Sequence, residues 1–330
     1  MSSELEDRSL SLVILEPAIL IVMTTACLIG NVVTCIAVYS KERLRTSSNL
    51  YVITLAISDA INASTVMPLT IGVLITGRWP YGEALCNVHA FFTLFSVYVS
   101  PTTMGLTAFN RYVRIVRPGH YSRIFNARQS KIYVAAIWLT VSGYALVPRL
   151  AGWTDYGFIP GYAVCTIVHP REAMKIAHYC IVVVFFFLLP LAVATFSYYK
   201  IFTMVNKHKI NTNLAIKEEC RISVREIHIS KSLAIIVLAF ALCWIPFWVV
   251  AMMQRFAPDT VVPRNVQLLC PFLLFFSSTI NPFIYAGMNP SFRAEFRAIL
   301  LCKFLKKPSV GVQAQEFGNS PSPLEISHQI

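Results

Sequence analysis

Seven long apolar stretches dominate this sequence and constrain its fold more than any other feature. Each stretch is long enough to cross the hydrocarbon core of a bilayer, which takes about 20 apolar residues. We therefore predict seven transmembrane helices, hereafter called spans one to seven. They cover about residues 17–39, 48–76, 83–116, 130–150, 174–205, 224–256 and 263–287.

The scarcity of charge supports this interpretation. Of the 330 residues, 56% are hydrophobic and 13% are charged, whereas soluble domains carry about 25% charged residues. A large soluble core with long helices does not account for so few charges spread over seven stretches. The predicted fold class is therefore all-α, a seven-transmembrane helix bundle.

The net charge of +12 would suit a nucleic-acid partner, but its distribution favours a membrane. About 21 of the 28 Lys and Arg residues fall in alternate loops and in the C-terminal tail, within Lys41–Arg45, Arg111–Lys131, Lys200–Lys231 and Arg293–Lys307. Positive residues are retained in the cytosol. We therefore expect a multi-pass plasma-membrane protein with an extracellular N-terminus, a cytoplasmic C-terminus and a basic rim facing anionic lipid. No nucleic-acid partner is expected.

The regions outside the bundle are short. We predict an extracellular tail over residues 1–16, the bundle over 17–287, an amphipathic helix with a basic segment over 288–307, and a disordered cytoplasmic tail over 308–330. In the amphipathic segment, Phe292, Phe296 and Ile299 share one face, as in a helix lying on the inner membrane surface. Cys302, which follows this face, is a candidate for palmitoylation.

Two cysteines lie on the predicted extracellular side. Cys86 starts span three, and Cys165 lies in the long loop between spans four and five. Disulfides persist in that oxidising compartment. We predict a Cys86–Cys165 disulfide that holds the loop over the mouth of the bundle.

Polar residues inside the spans indicate a functional site. Asp59 is the only carboxylate well inside a predicted span, and Ser100, Ser277 and Asn281 supply further oxygen atoms from spans three and seven. An oxygen-rich cage suits a small hard cation with water. The alternative is that Asp59 is protonated, or hydrogen-bonded to Asn31 and Asn281.

Three prolines interrupt the predicted spans. Pro190, Pro246 and Pro282 each free a backbone carbonyl and permit a kink. Each has an aromatic residue nearby on its helix, respectively Tyr198, Trp244 and Tyr285. Kinked helices with such side chains support two arrangements of a bundle, although packing alone also accommodates prolines.

These features together resemble the rhodopsin-like (class A) G-protein-coupled receptors over about residues 15–305. The matching motifs occur in order along the spans: Gly30-Asn31, Leu55-Ala56-Ile57-Ser58-Asp59, Cys86 with Cys165, Asn110-Arg111-Tyr112, Trp138, Pro190 with Tyr198, Cys243-Trp244-Ile245-Pro246, and Asn281-Pro282-Phe283-Ile284-Tyr285.

The resemblance implies a receptor that performs no bond chemistry. It implies an extracellular ligand, inner movement of spans five and six, and activation of a heterotrimeric G protein, with arrestin and membrane lipid as further partners. It also implies Na⁺ among Asp59, Ser100, Ser277 and Asn281, and a resting contact between Arg111 and Glu226. The expected coupling and switch residues are Asn110, Arg111, Tyr112, Tyr198, Glu226, Trp244, Pro246, Asn281, Pro282 and Tyr285.

Departures from family patterns reduce the range of ligands that the resemblance implies. Thr93 stands where aminergic receptors carry an Asp, and Phe275 stands where opsins carry the retinal Lys. The resemblance therefore implies neither an amine counterion nor covalent retinal. The Asn110-Arg111-Tyr112 triplet, and the stretch from "GRWPYGEALC" to "HYSRIF", are similar to those of melatonin receptors. Pro282 differs, since melatonin receptors have Ala there.

By the same resemblance, an apolar and aromatic ligand pocket is expected in the outer half of the bundle. Such a pocket suits a small planar or lipid-like ligand. The expected lining is Thr93, Leu94, Val97, Tyr98, Tyr179, Val182, Phe186, Trp244, Phe247, Trp248, Gln267, Phe272 and Phe275.

Other function classes have less support in the sequence. A channel or transporter needs a polar stripe across several spans or paired repeats, and only one acidic site is present inside the spans. An intramembrane enzyme needs a nucleophile with a base, or a metal site. His89 and His178 lie near outer span ends without a carboxylate at ligand spacing. An opsin-like receptor with a non-covalent ligand is a further alternative.

Overall fold

The computed structural model describes residue 5 and residues 7–211, 224–257 and 260–301. In this part of the chain, seven helices are long and apolar enough to cross a membrane, and a short helix follows them. The predicted all-α bundle with an eighth helix is therefore confirmed. The seven spans are Leu10–Ser40, Ser47–Thr76, Gly82–Val116, Ala127–Leu150, Ala173–Lys207, Glu226–Gln254 and Arg264–Met288.

Span one begins at Leu10, inside the segment that we predicted to be an extracellular tail. Glu16 is a charged residue inside this helix. Its carboxylate is neutralised by Arg8, at 2.7 Å, and by Arg264 at the start of span seven, also at 2.7 Å. Because the charge is paired, the helix continues through Glu16 and past Pro17.

Two spans are irregular where a proline removes a backbone donor. Span two consists of Ser47–Thr65 and Met67–Thr76, which meet at Val66 just before Pro68. Span five consists of Glu172–Ile181, a π-helical segment over Val182–Leu188, and Leu189–Asn211. The π-helical segment ends two residues before Pro190, and such segments are frequent at functional sites.

The loop between spans four and five forms an antiparallel hairpin. Strands β1 (Asp155–Ile159) and β2 (Val164–Val168) pair with Phe158 opposite Cys165, and a short 3₁₀ turn over Pro160–Tyr162 connects them. The predicted disulfide is present: Cys165 on β2 is bonded to Cys86 at the start of span three. This bond holds the hairpin against the end of the bundle.

The opposite end of the bundle carries three short helices, Glu42–Leu44, Pro118–Ile124 and Pro290–Leu300. In the last of these, the apolar face packs on protein: Phe292 stacks on Tyr285 of span seven, and Phe296 is buried beside it. Cys302 and the predicted tail over residues 308–330 lie outside the described residues.

Span three lies at the centre of the packing, against spans two, four and five. Its buried residues join one large cluster with aromatic side chains from spans five, six and seven. Close helix approaches use glycine. A Cβ atom at Gly30 of span one would lie 2.9 Å from the Pro282 ring of span seven, which is closer than carbon atoms pack.

This contact generates a stability prediction. Gly30→Ala would force spans one and seven apart, an overpacking cost of about 1–3 kcal/mol. Gly143→Ala is the matched control, because no atom lies within 4 Å of a Cβ added there. Since both positions are helical, the propensity gain of alanine is common to both. We expect a lower thermal unfolding midpoint for Gly30→Ala than for Gly143→Ala in detergent, and equal midpoints would contradict the packing argument.

Candidate functional site

A cavity of about 150 Å³ opens in the half of the bundle nearest the disulfide. Its walls come from spans three, five, six and seven, and β2 covers it. Ten of the predicted pocket residues line it, and they set its apolar and aromatic character: Thr93, Leu94, Val97, Tyr98, Tyr179, Val182, Trp244, Phe247, Trp248 and Phe275.

Three residues predicted for the pocket do not line this cavity. Phe186 packs behind its wall, with its ring centroid 4.8 Å from Tyr98 and 5.0 Å from Tyr144. Gln267 is buried and donates a hydrogen bond from Nε2 to the Val262 carbonyl at 2.8 Å. Phe272 packs with the cluster formed around spans one and two. Their side chains are used in helix and loop packing.

The hairpin supplies lining residues that the sequence analysis missed. Tyr162, Val164, Thr166 and Ile167 cover the cavity, and His169, which the sequence already placed near the mouth of the bundle, follows them. The only sequence signal for them was the Cys86–Cys165 pair. The hydroxyl of Tyr162 donates to Gln254 Oε1 at 2.8 Å, which ties the hairpin to span six. Burial raises the pKa of Tyr162 above its ordinary value, so this hydroxyl stays protonated and donates.

The deep end of the cavity is polar. Five small polar residues of spans two, three and seven reach it: Asn62, Ser96, Ser100, Ser277 and Ser278. Ser277 donates its hydroxyl to the Leu274 carbonyl at 2.7 Å. Ser278 instead lies beside the side chain of Asp59. The serine beside Asp59 is therefore Ser278, where the sequence analysis named Ser277.

Asp59 is the centre of this polar region. Its side chain is buried, and Asn281 Nδ2 donates to its Oδ2 at 2.9 Å. Asn31 donates to the carbonyls of Cys27 and Ser278 and so ties span one to span seven beside it. Within the described residues, no Lys, Arg or His forms an ion pair with Asp59.

At the opposite end, Arg111 of span three forms the ion pair predicted for it. Its Nη1 lies 2.9 Å from Glu226 Oε2, and its side chain is only 2% exposed. Arg114, one turn along, holds the other oxygen of Glu226 at 3.0 Å. Glu226 thus joins spans three and six through two arginines, of which the sequence analysis predicted one.

Asn110 does not hold Arg111. Its Oδ1 accepts a hydrogen bond from Ser48 of span two at 2.8 Å, and its Nδ2 donates to the Tyr121 hydroxyl. Burial raises the pKa of Tyr121, but hydrogen bonds from Ser48 and Asn110 and the charge of Arg114 outweigh it, so this pKa is lowered. Asn110 therefore connects span two to the helix Pro118–Ile124.

The other predicted switch residues lie along spans three, five, six and seven. Trp244 stacks on Phe240 with ring centroids 4.7 Å apart, two residues before Pro246 in an unbroken helix. Tyr112 packs against Phe196 of span five.

Buried polar atoms close to the Arg111–Glu226 pair lack partners. The Tyr198 hydroxyl and Arg111 Nε are both buried without a hydrogen-bond partner among the described residues. Both groups are therefore available to a different arrangement of the spans.

The comparisons with known proteins agree with this geometry. A sequence model described as 7 transmembrane receptor (rhodopsin family) matches residues 30–285. Three similar proteins are melatonin receptors. Type 1A of Mus musculus is 28% identical over 314 residues, covering 93% of this chain and 87% of that receptor. Type 1B of Homo sapiens is 28% identical over 325 residues, with 94% and 87% covered. Type 1B of Mus musculus is 29% identical over 287 residues, with 86% and 77% covered.

The surroundings of Asp59 generate a prediction about Na⁺. A buried carboxylate without a cationic partner fits a small hard cation, for which Asp59, Ser100 and Asn281 offer oxygen ligands. We propose that Na⁺ binds there. At ten times its Kd, Na⁺ would stabilise the fold by about 1.4 kcal/mol. The thermal unfolding midpoint of the purified protein is then expected to be higher in NaCl than in KCl or choline chloride of equal ionic strength.

The matched variants decide this prediction. Asp59→Asn should lose the difference between NaCl and KCl, because the amide carries no charge. Asp155→Asn, at an exposed residue of the hairpin, should keep it. Equal midpoints of the wild type in the three salts would show that no Na⁺ binds.

Proposed function

We infer, from the premise that this chain belongs to the rhodopsin family of seven-transmembrane receptors, that it binds a small ligand at the outer cavity and activates a heterotrimeric G protein. The family match over residues 30–285 carries this inference. Membership makes the chain a multi-pass plasma-membrane receptor and not an enzyme. The finer statements below concern its orientation, its ligand and its coupling.

The proposed orientation places the disulfide end outside the cell. The Cys86–Cys165 bond belongs in an oxidising compartment, and the basic stretch Arg111–Lys131 lies at the other end, as expected of the cytosolic side. The cavity then opens towards the extracellular space. The Arg111–Glu226 pair faces the cytosol, where G protein, arrestin and anionic lipid are the proposed partners.

The proposed ligand is a small, neutral and largely aromatic molecule. The cavity is lined mainly by apolar and aromatic side chains, as small-ligand pockets usually are. Trp244, Phe247, Trp248 and Phe275 supply aromatic walls. The similar proteins are melatonin receptors by name, and melatonin, a neutral indole, is the compound that we propose to test first.

Coupling is proposed to depend on the inner ion pairs. In the described arrangement, Glu226 holds span six against span three through Arg111 and Arg114. Outward movement of span six would break both pairs and open a cleft for the G protein. The unpaired Tyr198 hydroxyl, on span five, is the proposed partner of Arg111 after that movement.

Ligand-stimulated guanine-nucleotide exchange on a purified G protein tests this function. We expect melatonin to bind the wild-type receptor and to accelerate exchange. Arg111→Ala should retain melatonin binding and lose stimulation, because Arg111 is remote from the cavity. Binding without stimulation of the wild type would contradict G-protein coupling, and absence of binding would contradict the proposed ligand.

The Glu226 pairs generate a separate prediction about activity without ligand. Glu226→Gln keeps the size of the side chain and removes its charge. An exposed ion pair contributes about 0–1 kcal/mol, and the burial of Arg111 raises this value. Since about 1.4 kcal/mol corresponds to a factor of ten in a two-state ratio, we expect basal exchange to rise about 3- to 10-fold at matched surface expression.

Glu295→Gln is the matched control for this measurement. Glu295 pairs with Lys41 at 3.7 Å elsewhere on the inner face, so its substitution should leave basal exchange unchanged. An unchanged basal rate in Glu226→Gln would show that these ion pairs do not restrain the resting bundle.

A further inference from the structure

The residues before span one are held against the bundle by one arginine. We call these residues the strap, meaning residue 5 and residues 7–9. Leu5 is 1% exposed, and the side chain of Arg8 is 2% exposed. A charged group buried to this extent is costly unless it is paired and hydrogen-bonded. The contacts of Arg8 therefore decide where the strap lies.

Arg8 connects the strap to two spans. Its Nε donates to the Leu5 carbonyl at 2.7 Å, within the strap. Its Nη1 lies 2.7 Å from Glu16 Oε2 of span one, and its Nη2 donates to the Leu74 carbonyl near the end of span two. All three guanidinium nitrogen atoms are thus engaged, and the loss of this side chain would release the strap from both spans.

Glu16 extends the connection to span seven. Arg264, the first residue of that span, donates from Nη1 to Glu16 Oε1 at 2.8 Å and from Nη2 to Glu16 Oε2 at 2.7 Å. Such a bidentate pair fixes the relative orientation of the two side chains as well as their distance. One carboxylate therefore joins the strap, span one and span seven at the end of the bundle that carries the disulfide.

The strap lies behind the wall of the cavity. Leu5 belongs to one buried cluster with Val164 of the hairpin and Phe275 of span seven. Val164 and Phe275 also line the cavity. The hairpin in turn touches span seven, because Gly161 lies against the Gln267 side chain with no space for a Cβ atom. Displacement of the strap would therefore remove the support behind two lining residues.

The strap is anchored more weakly than the spans. Its buried side chains are those of Leu5 and Arg8, whereas the spans pack against one another along their lengths. Segments with few buried apolar contacts open locally at a lower free energy than the whole fold. The strap is therefore able to open while the bundle stays folded.

We propose that the strap is a lid that controls access to the cavity, and that Arg8, Glu16 and Arg264 hold it closed. When the ion pairs break, the strap leaves the hairpin and span seven, and a small molecule enters the cavity from the disulfide end. The three residues position the lid and do not touch the ligand. This inference rests on the proposed function, in which the cavity is the ligand site, and adds how entry to that site is regulated.

Two cysteine reporters test the lid without any receptor ligand. Leu5→Cys places a thiol on the strap, and Thr93→Cys places one in the wall of the cavity. Each purified full-length protein is treated with methyl methanethiosulfonate, a small neutral thiol reagent, and labelling of the reporter peptide is followed by mass spectrometry. When closing is fast relative to labelling, the labelling rate follows the open population.

Removal of the ion pairs should accelerate labelling at both reporters. Glu16→Gln and Arg8→Gln each delete hydrogen bonds between charged groups, and one such bond corresponds to a factor of about 10 or more in a two-state ratio. We therefore expect labelling of Leu5→Cys and of Thr93→Cys to become at least about 10-fold faster in either background. The two rates should rise by the same factor, because one opening exposes both thiols.

Asp155→Asn is the matched control for the loss of a carboxylate. Asp155 pairs with Arg149 at 3.3 Å on the exposed side of the hairpin, so its substitution should change neither rate. The native thiol of Cys243 in span six is buried and reports unfolding of the bundle. Its labelling should stay the same in every background.

Three results would overturn the lid. Unchanged labelling of Leu5→Cys in the Glu16→Gln background would mean that the ion pairs do not hold the strap. Faster labelling of Leu5→Cys with unchanged labelling of Thr93→Cys would mean that the strap does not close the cavity. A parallel rise at Cys243 would mean that the whole bundle has loosened. Because no receptor ligand is used, the lid and the proposed function can fail separately.

Discussion

The need to satisfy every backbone hydrogen bond inside a hydrocarbon layer governs this structure. It makes each apolar stretch a helix, and it makes polar side chains at membrane depth costly unless they are paired. Asp59, Asn31 and Asn281 therefore lie together in the interior. Arg111 is buried only because Glu226 reaches it. The few polar residues of the spans thus mark the two places, around Asp59 and around Arg111, where the interior of the bundle is not purely apolar.

Both ends of the bundle use the same electrostatic device, in which one glutamate is shared by two arginines. At the end of the bundle that carries the disulfide, Glu16 of span one binds Arg8 and Arg264, and so connects the N-terminal segment to span seven. At the opposite end, Glu226 of span six binds Arg111 and Arg114 of span three. Each carboxylate joins elements that are distant in sequence. Removing the carboxylate would leave two partly buried arginines close together without a negative partner. Such ion pairs stabilise one arrangement of the helices, and they break when one of the helices moves.

The cavity depends on elements that are not regular helix. The hairpin covers it because the Cys86–Cys165 bond holds β2 against span three. The π-helical segment over Val182–Leu188 turns the side chains of span five relative to a regular helix, and it directs Phe186 onto Tyr98 and Tyr144. The same packing places His178 between these two tyrosines. This wall of the cavity therefore results from three spans and a disulfide acting together.

The sequence by itself determined the class, the seven spans and several long-range pairs. Hydropathy and helix formation are local properties, so the spans could be located from composition along the chain. Family motifs placed Glu226 opposite Arg111, and the shared compartment paired Cys86 with Cys165. Only the tertiary structure decided the rest. Glu16 enters a helix because Arg264, far along the chain, neutralises it. Ser278 faces Asp59 and Phe186 leaves the cavity because helix rotation and a π-helical segment set side-chain direction. These outcomes depend on contacts between distant segments, which periodicity within one span does not encode.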